Sequence, residues 1–176
     1  AMGYYTTASG TNSTAMGYYT TASGTRSTAM GQSTTASGTR STAMGQSTTA
    51  SGSRSTAMGR NTTASDYAST VIGQYNSSGS SVTNNATSFN TANTAFVIGN
   101  GTNSSNKSDA FKVMFNGDTT VSNDLTVSGD VVISSDARLK SNIVSLGSTL
   151  PKLLQIDGKS YEMKGKQKIG VLAQEI

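Results

Sequence analysis

The sequence predicts an all-β fibre in which stacked β-coils are followed by a narrow β-prism, with three chains in each fibre. Three observations lead to this fold class. A fourteen-residue unit recurs five times without a gap over residues 1–70, a six-residue pattern follows over residues 113–136, and only 34% of the 176 residues are hydrophobic. A repeat this short cannot enclose a core alone, so neighbouring copies must stack and build a rod.

The fourteen-residue unit divides into two halves of seven residues, such as residues 29–35 and 36–42. Both halves have Ala first and Gly third. Because side chains alternate along a strand, Ala points to one side and its neighbours to the other, while Gly supplies a turn backbone. We therefore expect each coil to contain two short strands and two turns, with columns of Ala in a thin interior. The predicted β-roll covers residues 1–84.

The second position of the unit predicts how the rods associate. It is apolar in one half of the unit and Ser in the other half. If Ala points into the coil, the apolar residue points out and forms a stripe that soluble monomers rarely expose. Self-association around an axis would cover it, whereas the alternative is that Met lines the core of the coil. The predicted interface residues are Met2, Met16, Met30, Met44, Met58 and Ile72.

The pattern Ala-Met-Gly-x-x-Thr-x-Ala-Ser-Gly-x-x-Ser resembles the head repeat of trimeric autotransporter adhesins, the YadA-like left-handed parallel β-roll. The resemblance covers residues 1 to about 84. It implies a homotrimer displayed outside a bacterial cell, where it attaches to host surfaces or to other cells. The chain has Met where the family prefers Ile or Val, which makes the predicted interface more deformable.

Two sets of turn residues are candidates for a ligand surface that meets a cell-surface glycan or protein receptor. Three Arg recur about 4.8 Å apart from coil to coil. They are either solvated charges that discourage sheet aggregation or a ladder that binds sulfated or phosphorylated glycans. Four Tyr on the first coils either stack on sugar rings or pack between subunits. The residues are Arg26, Arg40, Arg54, Tyr4, Tyr5, Tyr18 and Tyr19.

The composition excludes several classes of chemistry. The chain has no Cys and no His, which removes disulfides, thiol chemistry, imidazole bases and the commonest zinc and copper ligands. We expect no metal and no cofactor. The net charge of +4 is too small to indicate nucleic-acid binding, and no apolar run approaches the roughly 18 residues of a membrane span. No signal peptide precedes the repeat, so we expect export and anchoring elements elsewhere in a longer protein.

The roll is expected to end between residues 66 and 84, because Asp66 replaces the Gly of a half-repeat and, after Gly73 has kept the frame, the following Gly lies at position 79 instead of 80. A cap or neck is predicted over residues 85–112. Six-residue units then run over residues 113–136, each with three strand residues and a polar turn, and the predicted prism covers residues 113–134. Strands this short are marginal within one chain. They fit an intertwined β-prism to which three chains contribute, and an ordinary meander is the alternative.

A candidate chemical site follows the last six-residue unit, in Ser134-Ser-Asp-Ala-Arg-Leu-Lys-Ser-Asn-Ile143. Without His, a Ser can be activated by a nearby Lys that loses its proton in a desolvated place. Ser135 is the candidate nucleophile and Lys140 the candidate base. The peptide bond that we predict to be cleaved joins Ser134 to Ser135. The predicted reaction is a single self-cleavage without turnover.

This segment, with Leu153-Leu-Gln-Ile-Asp-Gly-Lys-Ser-Tyr161 and Gly170-Val-Leu-Ala-Gln-Glu175, resembles the endosialidase-type intramolecular chaperone peptidase of phage tail spikes and bacterial fibres. The resemblance implies a domain, here residues 135–176, that helps three chains fold into a β-fibre and then cuts itself off. It implies that Ser135 is the nucleophile and Lys140 its base, with orienting roles for Asp136 and Arg138. Family members continue for roughly another domain beyond the Ala-Gln-Glu element.

Residues 135–176 are expected to form a small α+β fragment. A helix should begin near Pro151. Residues 159–164 and 167–172 should form a hairpin around Gly165.

Together these features predict an extracellular attachment fibre, either on a bacterial surface or on a phage virion as a tail fibre. Two alternative functions belong to other classes of protein. An ice-binding solenoid is disfavoured because the outward pair is Thr7-x-Ser9 rather than Thr-x-Thr. An endosialidase-like hydrolase would need a catalytic domain with paired carboxylates, which this sequence does not show.

Overall fold

The computed structural model describes residues 1–128, 158–163 and 166–170. It divides into two compact units, Ala1–Thr126 and Val127–Ile176. Every regular element in the described ranges is a β-strand, which confirms the all-β class.

The first unit begins as a parallel β-roll of about five coils, each with one long and one short strand. Within the roll, paired strands lie fourteen residues apart in the sequence, so that Ala29 lies beside Ala43 and Thr35 beside Thr49. This register confirms the predicted coil. The long strands are β1 (Met2–Tyr4), β3 (Thr14–Tyr18), β5 (Thr28–Gln32), β7 (Thr42–Gln46), β9 (Thr56–Arg60) and β11 (Thr70–Gln74). The short strands are β2 (Thr7–Ala8), β4 (Thr21–Ala22), β6 (Thr35–Ala36), β8 (Thr49–Ala50) and β10 (Thr63–Ala64).

Small side chains fill the interior of the roll. The predicted Ala columns are fully buried from Ala15 to Ala64, and Val71 and Val97 close the core at its end. A Thr column and a Ser column also point inward, which the sequence analysis missed although both positions are invariant across the five units. Within the described residues, eight of these buried hydroxyls have no hydrogen-bond partner: Ser13, Thr20, Ser27, Thr34, Ser41, Thr48, Ser55 and Thr62.

Both Gly of a unit lie where adjacent coils approach closely, and one of them also has a backbone conformation that favours Gly. Gly31 has a φ of 120° although it lies within β5, and a Cβ atom there would lie only 2.1 Å from the carbonyl oxygen of Gly45. Gly38 lies outside the positive-φ region, and the prediction that Gly supplies a turn backbone is wrong for it. A Cβ atom at Gly38 would lie only 2.1 Å from the carbonyl oxygen of Gly52 in the next coil. Both Gly are therefore required because adjacent coils approach closely.

Non-glycine residues occupy the left-handed backbone region at both turns of each coil. Ser33 has a φ of 54° and Arg40 a φ of 59°. Their amides donate to the preceding coil, from Ser33 to the Tyr18 carbonyl and from Arg40 to the Thr25 carbonyl, each at 2.8 Å. The hydrogen-bond ladder therefore continues around the corners, and it offsets the cost of this backbone conformation.

Asp66 ends the stack of short strands. It occupies the position that Gly52 holds one coil earlier, and the Cβ atom is accommodated because no further coil of the roll stacks on it. The side chain is fully buried. One carboxylate oxygen accepts the Thr83 amide at 2.6 Å and the other accepts the Thr94 amide at 2.8 Å. The residue that breaks the repeat therefore fastens the following segment onto the roll, as the sequence predicted for its end.

Asn side chains take the place of a further short strand. The Asn76 amide accepts a hydrogen bond from the Thr63 backbone N–H at 2.8 Å and donates to the Thr63 carbonyl at 2.9 Å. Asn93 forms the same pair of hydrogen bonds with the backbone of Asn85, at 2.8 and 2.6 Å. Because a carboxamide carries the donor and acceptor of a peptide group, these side chains satisfy backbone groups that a strand would otherwise pair.

The sheet of long strands continues beyond the roll to nine strands. Strand β12 (Thr94–Asn100) pairs in parallel with β11, and β13 (Asp109–Met114) and β14 (Thr119–Val121) follow as antiparallel neighbours. Residues 113–121 thus lie in a meander within one chain, the alternative that the sequence left open. Among the residues described up to 128, no strand follows β14. The intertwined prism over residues 113–134 stays a prediction.

In the second unit, β15 (Lys159–Met163) and β16 (Lys166–Gly170) form an antiparallel pair, with Ser160 opposite Ile169. This pair confirms the predicted hairpin. The predicted helix start near Pro151 lies outside the described residues.

Candidate functional site

An apolar face runs along the outer side of the nine-stranded sheet. In the first coils, Met2 is 66% exposed and Met16 is 38% exposed, whereas the adjacent Ala15 is fully buried. The other four members of the predicted column are half-buried. None of the six belongs to the hydrophobic core of the roll. The outward orientation is therefore confirmed, and the alternative that Met lines the core of the coil is wrong.

The apolar face extends further than the sequence predicted. Strand pairing places Ile98 beside Ile72, Phe111 beside Ile98 and Val121 beside Phe111. The Phe96 ring contacts the Phe111 ring edge-on, with 6.2 Å between centroids. The fourteen-residue period could not reveal this extension, because it depends on the register of β12 to β14. The apolar face comprises Met2, Met16, Met30, Met44, Met58, Ile72, Ile98, Phe111 and Val121, flanked by Phe96 and Val113.

The four predicted Tyr form one aromatic cluster on the first two coils. The Tyr4 and Tyr18 rings stack at 5.5 Å between centroids, and the Tyr5 and Tyr19 rings stack at 4.9 Å. Edge-on contacts of 4.3 and 4.6 Å join the two stacks within each coil. A side-chain hydrogen bond with Tyr5, with a smaller contribution from burial, raises the pKa of Tyr4 above its ordinary value. The cluster is thus preordered within one chain while all four side chains stay exposed.

The three predicted Arg occupy successive exposed turns, each in the left-handed backbone region. Arg54 has a partner in the chain: its guanidinium donates to the Tyr67 hydroxyl at 2.6 Å and lies 5.1 Å from the centre of that ring. Within the described residues, Arg26 and Arg40 have no side-chain hydrogen bond or ion pair. Two of the three guanidinium groups therefore stay available to an external anion.

The Tyr cluster and the Arg ladder lie at different turns of the coil. The Tyr lie where a long strand ends and the turn to the following short strand begins, as Tyr18 does at the end of β3 and Tyr19 between β3 and β4. The Arg occupy the return turn, as Arg26 does between β4 and β5. The two turns are at opposite edges of the roll. The predicted ligand residues therefore form two separate surfaces in one chain.

The part of the chain that the structure describes contains no group of three or more His, Cys, Asp or Glu that could hold a metal ion. None of its elements is a helix of the length and apolarity needed to cross a membrane.

The predicted chemical site lies outside the described residues, which include neither Ser134 and Ser135 nor Lys140. The supporting residues Asp136 and Arg138 lie outside them too. The dyad assignment stays a prediction.

Two protein families match different parts of the chain. The YadA head domain repeat matches residues 1–20, 22–48 and 50–76. The chaperone of endosialidase matches residues 135–176. Both resemblances seen in the sequence are thereby confirmed, and the order of the two segments is the expected one. No curated protein and no solved structure matches the chain. Head repeats of this family imply trimeric assembly, and segments of both kinds belong to surface fibres or phage tails.

Proposed function

We propose that this chain is a segment of an extracellular trimeric fibre that attaches a bacterium or a phage particle to a surface, and that its C-terminal part drives trimer assembly and then cuts itself off. The apolar face carries the proposal, because it crosses all nine strands on one side of a rod. The two family matches support the same architecture.

Burial of the apolar face is the driving force for assembly. Covering a Met, Ile or Phe side chain stabilises an assembly by about 1.5–3 kcal/mol when the side chain starts fully exposed, and by less when it starts half-buried. The face has nine such positions in each chain, from Met2 to Val121. Three chains meeting around an axis would cover all of them at once. No covalent link is needed, and the chain has no Cys to make one.

Trimer formation can be tested with a charge placed on the apolar face. Met44→Glu puts a carboxylate at the middle of the face, where burial without a partner is costly. Light scattering should give three times the mass of one chain for the unmodified protein and a single-chain mass for this variant. Ser37→Glu is the matched control, because Ser37 is an exposed residue that directly follows the short strand β6. A single-chain mass for the unmodified protein would refute the proposal.

Attachment is assigned to the turn residues of the roll. Arg26 and Arg40 present guanidinium groups whose paired donors match sulfate or phosphate oxygens. Because the two groups lie on successive coils and recur in each subunit, a polyanionic glycan would contact several at once. A glycan array should show binding to sulfated glycans for residues 1–128, and loss of that signal in Arg26→Gln/Arg40→Gln. Unchanged binding in this variant would exclude the Arg ladder as the attachment surface.

The Tyr cluster is a second candidate for attachment. Its four side chains are already packed on one another, so a ligand would meet an ordered surface and little side-chain freedom would be lost on binding. Replacement of Tyr18 by Gln and Tyr19 by Ser, the residues at the equivalent positions of the third coil, Gln32 and Ser33, should abolish binding to neutral glycans. If the array signal persists in this variant and trimer stability falls, the cluster packs between subunits instead.

Self-cleavage is assigned to Ser135 and Lys140. The Ser135 hydroxyl would attack the carbonyl carbon of Ser134 while Lys140 takes the hydroxyl proton. Passing that proton to the Ser135 nitrogen breaks the peptide bond and leaves an ester. Water would then hydrolyse the ester and release residues 135 onward. The chemistry requires Lys140 to be neutral, which a desolvated environment favours.

The cleavage proposal is tested in a longer protein that carries the complete chaperone domain. Ser135→Ala and Lys140→Ala should each leave the chain intact, whereas the unmodified chain should yield a fragment that begins at Ser135, identified by mass spectrometry. Lys152→Ala is a control that removes a charge outside the motif. Cleavage that persists in both dyad variants would refute the assignment.

A further inference from the structure

An open cleft lies at the end of the roll, on the side of the nine-stranded sheet that faces away from the apolar face. Lys112 and Thr120 are cross-strand neighbours on β13 and β14. Because side chains alternate along a strand, they point to the side opposite Phe111 and Val121. The cleft has a volume of about 350 Å³, which lies in the range of small-molecule sites, roughly 300–1,000 Å³. An assembly built on the apolar face would leave it open.

The charges around the cleft favour an anion. Lys107 and Lys112 line it together with one carboxylate, Asp109. That carboxylate is already occupied, because its two oxygens accept the backbone amides of Ser77 at 2.9 Å and Ser78 at 2.8 Å. Within the described residues, neither Lys forms an ion pair or a side-chain hydrogen bond. Lys112 is moreover half-buried, and a cation that is partly desolvated without a partner favours a bound anion.

The rest of the lining consists of neutral polar groups that match a sugar. Five hydroxyl side chains and the Asn100 carboxamide surround the two Lys. The Asn100 oxygen accepts a hydrogen bond from the Ser108 hydroxyl at 2.7 Å, which fixes the carboxamide and leaves its N–H groups without a partner in the described part of the chain. Hydroxyl donors and acceptors beside two ammonium groups match the chemistry of a sugar ring that has hydroxyls and one carboxylate.

We propose that this cleft binds an acidic sugar residue, whose carboxylate is held by Lys107 and Lys112 and whose hydroxyls contact Asn100 and the surrounding Ser and Thr. The inference rests on the proposed attachment function, to which it adds a receptor component of defined chemistry. It places that component at the end of the roll, apart from the Arg ladder and the Tyr cluster.

The test uses the full chain and saturation-transfer NMR with glucuronate as the probe. Glucose is the matched neutral sugar, because it differs only by a CH₂OH group in place of the carboxylate. Glucuronate should bind and glucose should not. Lys107→Gln and Lys112→Gln keep most of the side-chain volume and remove the charge, and each should weaken glucuronate binding about tenfold, the usual size of one charge-assisted hydrogen bond. Arg60→Gln is the control, because it removes a charge from the roll at a position where other coils have Gln, such as Gln32 and Gln46, and it should change nothing.

Three results would overturn the inference. One is equal binding of glucose and glucuronate. Another is unchanged glucuronate binding in the double Lys variant. A third is complete displacement of glucuronate by an equal concentration of inorganic sulfate, which would make the cleft a site for simple anions only.

The glycan array separates this inference from the attachment function. Array binding that persists while glucuronate fails to bind would refute the cleft and leave attachment intact. Conversely, glucuronate binding that depends on Lys112, together with an array on which no glycan binds, would support the cleft and refute attachment through the roll.

Discussion

Replacement of Gly38 by Ala tests how tightly the coils stack. The added Cβ atom would lie 2.1 Å from the carbonyl oxygen of Gly52, 2.6 Å from its carbonyl carbon and 2.9 Å from the carbonyl oxygen of Ser51. Non-bonded heavy atoms are best separated by about 3.5 Å, so the next coil would have to move by more than 1 Å. All three atoms belong to the backbone, which takes part in the inter-coil ladder and cannot rotate away.

The cost should fall at the upper end of the range for overpacking, about 3 kcal/mol per chain. For a chain of this length, that loss lowers the melting temperature by about 6–12 °C. Thermal unfolding followed by circular dichroism measures the change. Ser37→Ala is the control, because it changes the adjacent exposed residue without affecting the contact between coils. A melting temperature for Gly38→Ala within about 2 °C of the unmodified protein would refute the close-stacking argument.

Three further predictions concern side chains that the structure places in defined environments. Thr34→Val replaces a buried hydroxyl that has no partner among the described residues with a group of the same shape, and should stabilise the roll by about 1 kcal/mol; a lower melting temperature would contradict this. Asn76→Ala leaves the backbone N–H and carbonyl of Thr63 unpaired and should cost about 3 kcal/mol in chemical denaturation. Tyr5→Phe removes the hydrogen bond that raises the pKa of Tyr4, so the alkaline titration of tyrosine absorbance should begin at lower pH. The raised pKa means that the folded chain favours the neutral phenol of Tyr4. The resulting contribution to the free energy of unfolding is present below the ordinary pKa of tyrosine and is lost as the pH rises through the raised pKa of Tyr4.

The roll was predictable from the sequence because its contacts repeat with the sequence period. Once Ala29 is assigned to the interior, Ala43 and every equivalent Ala follow, and so does the outward direction of Met30. The inward Thr and Ser columns escaped prediction because polar residues at turns usually face solvent. Their invariance across five units was the available signal, since a solvated turn position tolerates the variation seen at Gln32 and Arg60.

The segment after the roll was less predictable because its pairing is irregular. Thr70 pairs with Phe96, which is 26 residues later instead of fourteen, and no local pattern encodes that interval. The continuation of the apolar face and the Lys112 cleft both depend on this register. The predicted six-residue units described segments of strand and turn correctly over residues 113–121 but left the choice between meander and prism open. Strand-forming sequences of this length pair equally well within a chain or between chains.

The end of the roll explains how one chain combines a repetitive rod with a different neck. The short strands stop because Asn76 satisfies the backbone groups of Thr63 that another coil would have paired, while Asp66 accepts amides of the following segment and holds it on the roll. The long strands do not stop, because Ile98 follows Ile72 in register. The apolar face therefore passes without a break from the roll into β12, β13 and β14, while the opposite side of those strands loses its covering sheet. Loss of that cover opens the cleft beside the half-buried Lys112. The end of the repeat therefore preserves the assembly surface and creates a polar surface on the other side of the sheet.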